Sequence, residues 1–157
     1  MSRYAISAGN AGSQQAMTTT YKTVLSLTAV TGATTLRKAW IYDVLFGADG
    51  TPADNAMSYV VNRQTTVGTG TSGTGAPMDS GDAASLITAT CNNTIEPTIT
   101  SATQLIEIGV NQRASYRWVA APGGELVVPA TTTNGLGFRA KSPAYTGTVM
   151  ATLHWWE

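Results

Sequence analysis

Short runs of this chain alternate between apolar and polar side chains, and clusters of turn formers interrupt them at the spacing of short strands. A period of two puts successive side chains on opposite faces of an extended strand, so the apolar set must be buried against a second layer. Tyr21 to Val30 places Leu25, Leu27 and Ala29 on one face and Ser26 and Thr28 on the other. Leu36 to Phe46 reads as an aromatic strand, with Trp40, Tyr42, Val44 and Phe46 expected on one face and Ile41, Asp43 and Leu45 on the other. Met57, Tyr59 and Val61, the run Gln104 to Val110, and Leu136, Phe138 and Ala140 repeat the pattern. Tyr116 and Trp118 oppose Arg117, and the run Thr148 to Trp156 sets Val149, Ala151, Leu153 and Trp155 against Met150, Thr152, His154 and Trp156. Gly32, the Gly47 to Asn55 stretch, Asn92-Asn93, Glu96-Pro97, Pro122-Gly123-Gly124, Asn134-Gly135 and Pro143 supply the breaks. No long amphipathic helix interrupts the pattern, beyond room for one turn at Ala83-Ala84, and no segment repeats. The prediction is an all-β, jelly-roll-like antiparallel sandwich of about eight strands.

Two stretches fall outside the pattern. Residues 1–16 are polar and small around Tyr4 and Ile6, which predicts an extended N-terminal arm that orders on a partner. Thr65 to Pro77 is almost all Gly, Thr and Ser, which predicts a flexible loop. With 157 residues, 43% of them hydrophobic, the remainder (17–157) suffices for a single sandwich domain.

Nine basic residues balance nine acidic ones, so no global field draws in nucleic acid or an anionic membrane, and neither is expected as a partner. The single cysteine, Cys91, is expected to be a buried, inert thiol. Met1 to Gly12 shows no basic segment followed by an apolar run, and no eighteen consecutive residues are apolar. Synthesis in a cytoplasm, without leader or membrane helix, is the expectation.

Residues that do chemistry are scarce. The one histidine, His154, has no Cys, Asp or second His at metal-ligand spacing, and a catalytic triad would lack a Gly-x-Ser-x-Gly elbow. The Asp49 to Asn55 loop offers oxygen ligands of the kind calcium takes, but its spacing is not that of an EF-hand and its Asp and Asn suit local turn bonds. The Val67 to Gly75 tract has the glycines of a phosphate loop without its Gly-Lys-Ser/Thr ending. No cofactor and no catalytic residue is expected. Trp40, Trp118 and Trp155 alternate with apolar neighbours and are expected in the core, whereas Trp156 lies on the opposite face from Trp155 and is expected at the surface, under a partner.

Three segments carry a resemblance. Met78-Asp79-Ser80-Gly81-Asp82-Ala83-Ala84-Ser85, then Tyr116-Arg117-Trp118-Val119 through Pro122-Gly123-Gly124 to Val127-Val128-Pro129, then a closing strand ending Trp155-Trp156-Glu157, together resemble the short structural proteins encoded among the head genes of tailed bacteriophages, capsid decoration or cement proteins among them. The resemblance implies a virion protein, made in the host cytoplasm, that sits on the capsid exterior as a homotrimer and bridges subunits of the major capsid protein. It brings no catalytic motif. On this reading the arm residues Arg3, Tyr4 and Ile6, with the Thr65 to Pro77 loop, are candidates for the capsid contact, and Trp156 and His154 for the contact between copies.

Two other classes stay open: a glycan- or receptor-binding sandwich of a phage tail or fibre, which would use exposed aromatics and loop Asp/Asn, and a hydrolase using a carboxylate such as Glu107.

Overall fold

The computed structural model of the protein describes residues 1–8, 14–30, 34–144 and 147–157. Within them the chain forms thirteen strands and no helix: β1 (Arg3–Ser7), β2 (Gln15–Ala16), β3 (Lys22–Ala29), β4 (Ala39–Asp49), β5 (Ala56–Gln64), β6 (Thr69–Thr74), β7 (Ala76–Pro77), β8 (Ile87–Ile95), β9 (Ile99–Asn111), β10 (Tyr116–Val119), β11 (Leu126–Val128), β12 (Gly135–Lys141) and β13 (Thr148–Trp156). They make two antiparallel sheets. The first runs β10-β4-β13-β1-β7, with β11 also on β4 and β2 also on β13; the second runs β6-β8-β3-β12-β5-β9.

The layers are interlocked by chain order. β3 and β4 are consecutive but lie in opposite sheets, and their partners β12 and β13 are likewise consecutive and in opposite sheets. Leu25 and Leu27 from β3, Tyr59 and Val61 from β5 and Leu136 and Phe138 from β12 face Val44, Phe46, Leu153 and Trp155 of the first sheet in one core. Phe46 stacks on Tyr59 across the layers with ring centroids 4.3 Å apart, and Tyr4 stacks on Trp155 at 6.0 Å. Each such side chain removed from water contributes about 1.5–3 kcal/mol before chain entropy is counted. The expected all-β sandwich is therefore the fold.

The N-terminal segment is not an arm. β1 sits inside the first sheet between β13 and β7, with Arg3 opposite Trp156 and Ser7 opposite Thr152. Tyr4 and Ile6 are 2% and 5% exposed, and β2 pairs with β13 at Thr148 and Val149. The Arg-Tyr-Ala-Ile-Ser alternation is a strand's own period; small polar neighbours made it look unstructured. The part of the expected arm at 9–13, and the expected break at Gly32, lie outside the described residues.

The Gly/Thr tract is not a loop either. β6 pairs with β8 and β7 with β1. Its glycines are there because the backbone runs against other groups. A Cβ on Gly70 would meet the Cys91 carbonyl oxygen at 2.5 Å, and one on Gly75 would meet the Trp155 ring at 2.4 Å. Glycine here serves close approach.

Candidate functional site

The outer faces of the two sheets differ in chemistry. Across the second, one row of the register reads Thr90, Ser26, Gly137, Asn62, Gln104, all small or polar, and Thr90, Ser26 and Asn62 in it are buried, with Ile99 lying over Gly137. Across the first, the outward residues include three aromatic rings, a thioether and two guanidinium groups among aliphatic and hydroxyl side chains.

A bulge in β4 builds that face. Ile41 pairs with Trp155 and Asp43 with His154, which leaves Tyr42 as an extra residue. An extra residue turns two consecutive side chains to the same side and inverts the alternation beyond it. Ile41, Val44 and Phe46 therefore point into the core, whereas Trp40, Tyr42 and Asp43 point out, and Trp40 is half-buried on the surface rather than in the core where alternation alone had placed it. Trp118 and Trp155 do join the core, the first at its margin.

Three rows of outward side chains follow from the register. The first holds Val127, Trp40, Trp156 and Arg3, and Met78 continues it, its N–H donating to the Arg3 carbonyl at 2.8 Å. The second holds Val119, Asp43, His154 and Ala5. The third holds Arg117, Leu45, Thr152 and Ser7, with the Ser7 and Thr152 hydroxyls 2.8 Å apart. Val119 and Met78 are 58% and 52% exposed.

Asp43 is the one carboxylate in these rows, and it is 3% exposed. Arg117 reaches diagonally from β10 and donates through Nε to Oδ1 at 2.9 Å and through Nη2 to Oδ2 at 2.8 Å. His154 Nδ1 lies 3.0 Å from Oδ2. The two guanidinium bonds hold the Asp43 carboxyl below its usual range against the opposing effect of burial, and His154 adds to the lowering. In turn the carboxylate raises the Arg117 pKa. A planar fork matched to a carboxylate gives geometric specificity as well as charge compensation. The trio joins β10, β4 and β13.

Tyr42 lies between two rings, with Trp156 at 5.2 Å and 21° and His154 at 6.2 Å and 22°. Burial pushes its phenol above the usual value, Arg3 opposing and Asp43 reinforcing. Its hydroxyl contacts Met78 Sδ at 3.6 Å. Beside Trp40 opens a groove of about 420 Å³ lined by Leu36, Arg37, Lys38, Trp40, Ala130 and Glu157. The Glu157 carboxylate is engaged there by the Leu86 N–H at 3.0 Å, by Trp155 Nε1 at 3.2 Å and by the Ser85 hydroxyl.

Of the residues singled out from sequence, Trp156 and His154 are brought together on this face, next to Arg3. Tyr4 and Ile6, expected to grip a partner, are instead core, because their strand alternates inward at those positions. Tyr42, Asp43 and Arg117 were missed as surface groups. The signal for them was present: apolar Ile41 and Val44 are three apart, a phase slip that a bulge between them explains. The oxygen-rich loop is locally committed, Asp49 accepting from Gln14 Nε2 and the Gly50 N–H and Asp54 lying 3.4 Å from Arg113. Among the described residues no three His, Cys, Asp or Glu side chains gather as a metal site would require. Glu107 accepts from the Tyr21 hydroxyl at 3.3 Å, and Glu96 from the Thr23 N–H and hydroxyl.

No family model matches the chain, and no curated protein is similar to it.

Proposed function

We propose that the protein is a non-catalytic docking module whose outer face on the first sheet seats against another protein. The observation that carries this reading is the make-up of the three rows and of the bulge between them: Trp40, Trp156, Met78 and two arginines in the rows, Tyr42 at the bulge, and a single carboxylate that Arg117 already pairs. Interfaces are enriched in Trp, Tyr, Met and Arg and depleted in Lys, Glu and Asp at their centres. Asp43 is already buried and paired with Arg117 and His154, so covering the face leaves no lone carboxylate to desolvate.

The resemblance to phage head proteins makes the partner, on this proposal, the major capsid protein, with the module seated on the capsid exterior and stabilising the shell by bridging subunits. The contact then belongs to the sheet face and to Arg3 rather than to Tyr4 and Ile6. The test is co-sedimentation with tailed-phage heads stripped of their decoration protein. Wild type is expected to pellet with the heads at regular stoichiometry, and Trp156→Ser and Arg3→Glu to stay in solution while keeping the wild-type circular dichroism spectrum. Equal pelleting of wild type and both variants, or none by wild type, would overturn the reading.

A further inference from the structure

Among the described residues β9 is the longest strand, at 13 residues, and it pairs with a strand on one side only, β5. Its other side has no strand partner among the described residues. Proteins blunt such edges with short strands, proline, lysine or bulges. The other edges of this sandwich are treated in that way. β7 is two residues long and ends at Pro77; β11 is three long and is followed by Pro129; β10 is four long; β6 is made of Thr, Ser and Gly with a shifted register. In β9 the register against β5 shifts twice between Ile99 and Ile106, so its first half is treated likewise, but Ile106 to Asn111 keep an unbroken register and contain neither Pro nor Lys, with Glu107 the one charge. Ile106, Ile108 and Val110 pack against the core yet stay half-buried, with no strand flanking them on the outside.

We propose that β9 pairs antiparallel with β9 of a second copy of this chain, about a twofold axis at Ile108. Among the twofold registers, this one sets Ile106 opposite Val110 of the second copy and Ile108 opposite its own counterpart, so every inward apolar residue meets another. It also sets Glu107 opposite Gly109. An axis at Glu107 would instead place two carboxylates face to face, which is destabilising. The contact is isologous and closes at two copies, so the second sheet continues from one copy into the next. It is separate from the docking face on the first sheet and predicates a dimer in place of the threefold association implied by the resemblance.

Gly109 gives a test with a sign. A Cβ at this position meets nothing within 4 Å, so the single copy tolerates a side chain there. In the pair, Gly109→Glu puts a carboxylate opposite Glu107 twice, and Gly109→Lys puts an ammonium there twice. The wild-type chain is expected to show the mass of two copies by native mass spectrometry and light scattering. Gly109→Glu is expected to raise the dimer dissociation constant about tenfold and Gly109→Lys to lower it by a similar factor, both with wild-type circular dichroism. Hydrogen exchange of the wild type needs no variant: β9 amides are expected to gain protection as concentration rises. A wild-type monomer or trimer, two variants that shift association the same way, or β9 protection independent of concentration would overturn the proposal. Trp156→Ser, which tests the docking face, is expected to leave the dimer intact.

Discussion

Asp43 and His154 face each other across β4 and β13, with Oδ2 and Nδ1 3.0 Å apart, at the point where an extra residue in β4 breaks the alternation of the strand. The pairing holds the one carboxylate of a sheet face that also carries Trp40, Tyr42 and Trp156. It depends on Arg117 for the remaining charge.

Removing the charge should therefore weaken the sandwich. Asp43→Asn keeps the shape but turns a carboxylate accepting charged bonds into an amide. Urea unfolding is expected to show a loss of about 1–3 kcal/mol. Arg117→Gln is expected to lower the urea midpoint less, since 63% of that side chain is exposed. An unchanged midpoint for Asp43→Asn would mean that the trio is decoration.

The same carboxylate sets a dependence on acid. Its pKa is lowered in the folded protein, first by the hydrogen bonds from Arg117, so below the usual value of about 3.9 the unfolded chain binds more protons than the folded one. Stability from this group is complete above that value and is lost as pH falls through the folded one. Melting temperature followed from about pH 6 down to about pH 2 is expected to fall less steeply for Asp43→Asn than for wild type. Parallel curves would contradict the assignment.

Gly75 tests whether the Gly/Thr tract is packed structure. Trp155 is fully buried and its ring cannot withdraw from a new Cβ 2.4 Å away. Gly75→Ala is expected to destabilise by about 1–3 kcal/mol through overpacking, whereas Gly109→Ala, with open space around it, should stay within about 0.5 kcal/mol of wild type. Thermal melts of the two variants decide the matter. A flexible loop would tolerate both.

Tyr59 is fully buried against Phe46, and its hydroxyl has no hydrogen-bond partner among the described residues. Burial pushes the phenol far above its ordinary value. Tyr59→Phe removes an unpaired polar group without changing shape, so stability is expected to stay level or rise by about 1 kcal/mol in urea unfolding. A loss above 1 kcal/mol would show that the hydroxyl has a partner after all.

Much of the fold was legible because burial in a two-layer sandwich writes itself as period two. The alternating sets in β3, β5, β12 and β13 face as the sequence predicts, and the turn at Pro122-Gly123 forms with Gly123 at φ 78°. What failed to read was what composition disguises. β1 is five residues long, too short for its alternation to stand out from Ser and Gly on either side. Gly70 in β6 and Gly75 between β6 and β7 mark backbone pressed against Asn93, Cys91 and Trp155, contacts with residues distant in sequence and invisible along the chain. The outward face of the first sheet was half legible, since Trp156 and His154 lie on the outward phase of β13, while Trp40, Tyr42 and Asp43 depend on one inserted residue that inverts the phase of β4. Gln112, whose amide donates to the Ser142 hydroxyl and the Ala144 carbonyl and accepts from the Ala53 N–H, gave no sign of its role in a pattern that treats amides as turn residues.

The central claim, that the first sheet presents the contact surface, is tested most directly by hydroxyl-radical footprinting of the protein free and bound to decoration-stripped phage heads. Oxidation reads the exposure of Trp and Met side chains one by one. On binding, Met78, Trp156 and Trp40 are expected to lose most of their reactivity, while Tyr21 and Ile95 of the second sheet's surroundings keep theirs. Protection falling on Tyr21 and Ile95, with Met78 and Trp156 as reactive as in the free protein, would contradict it.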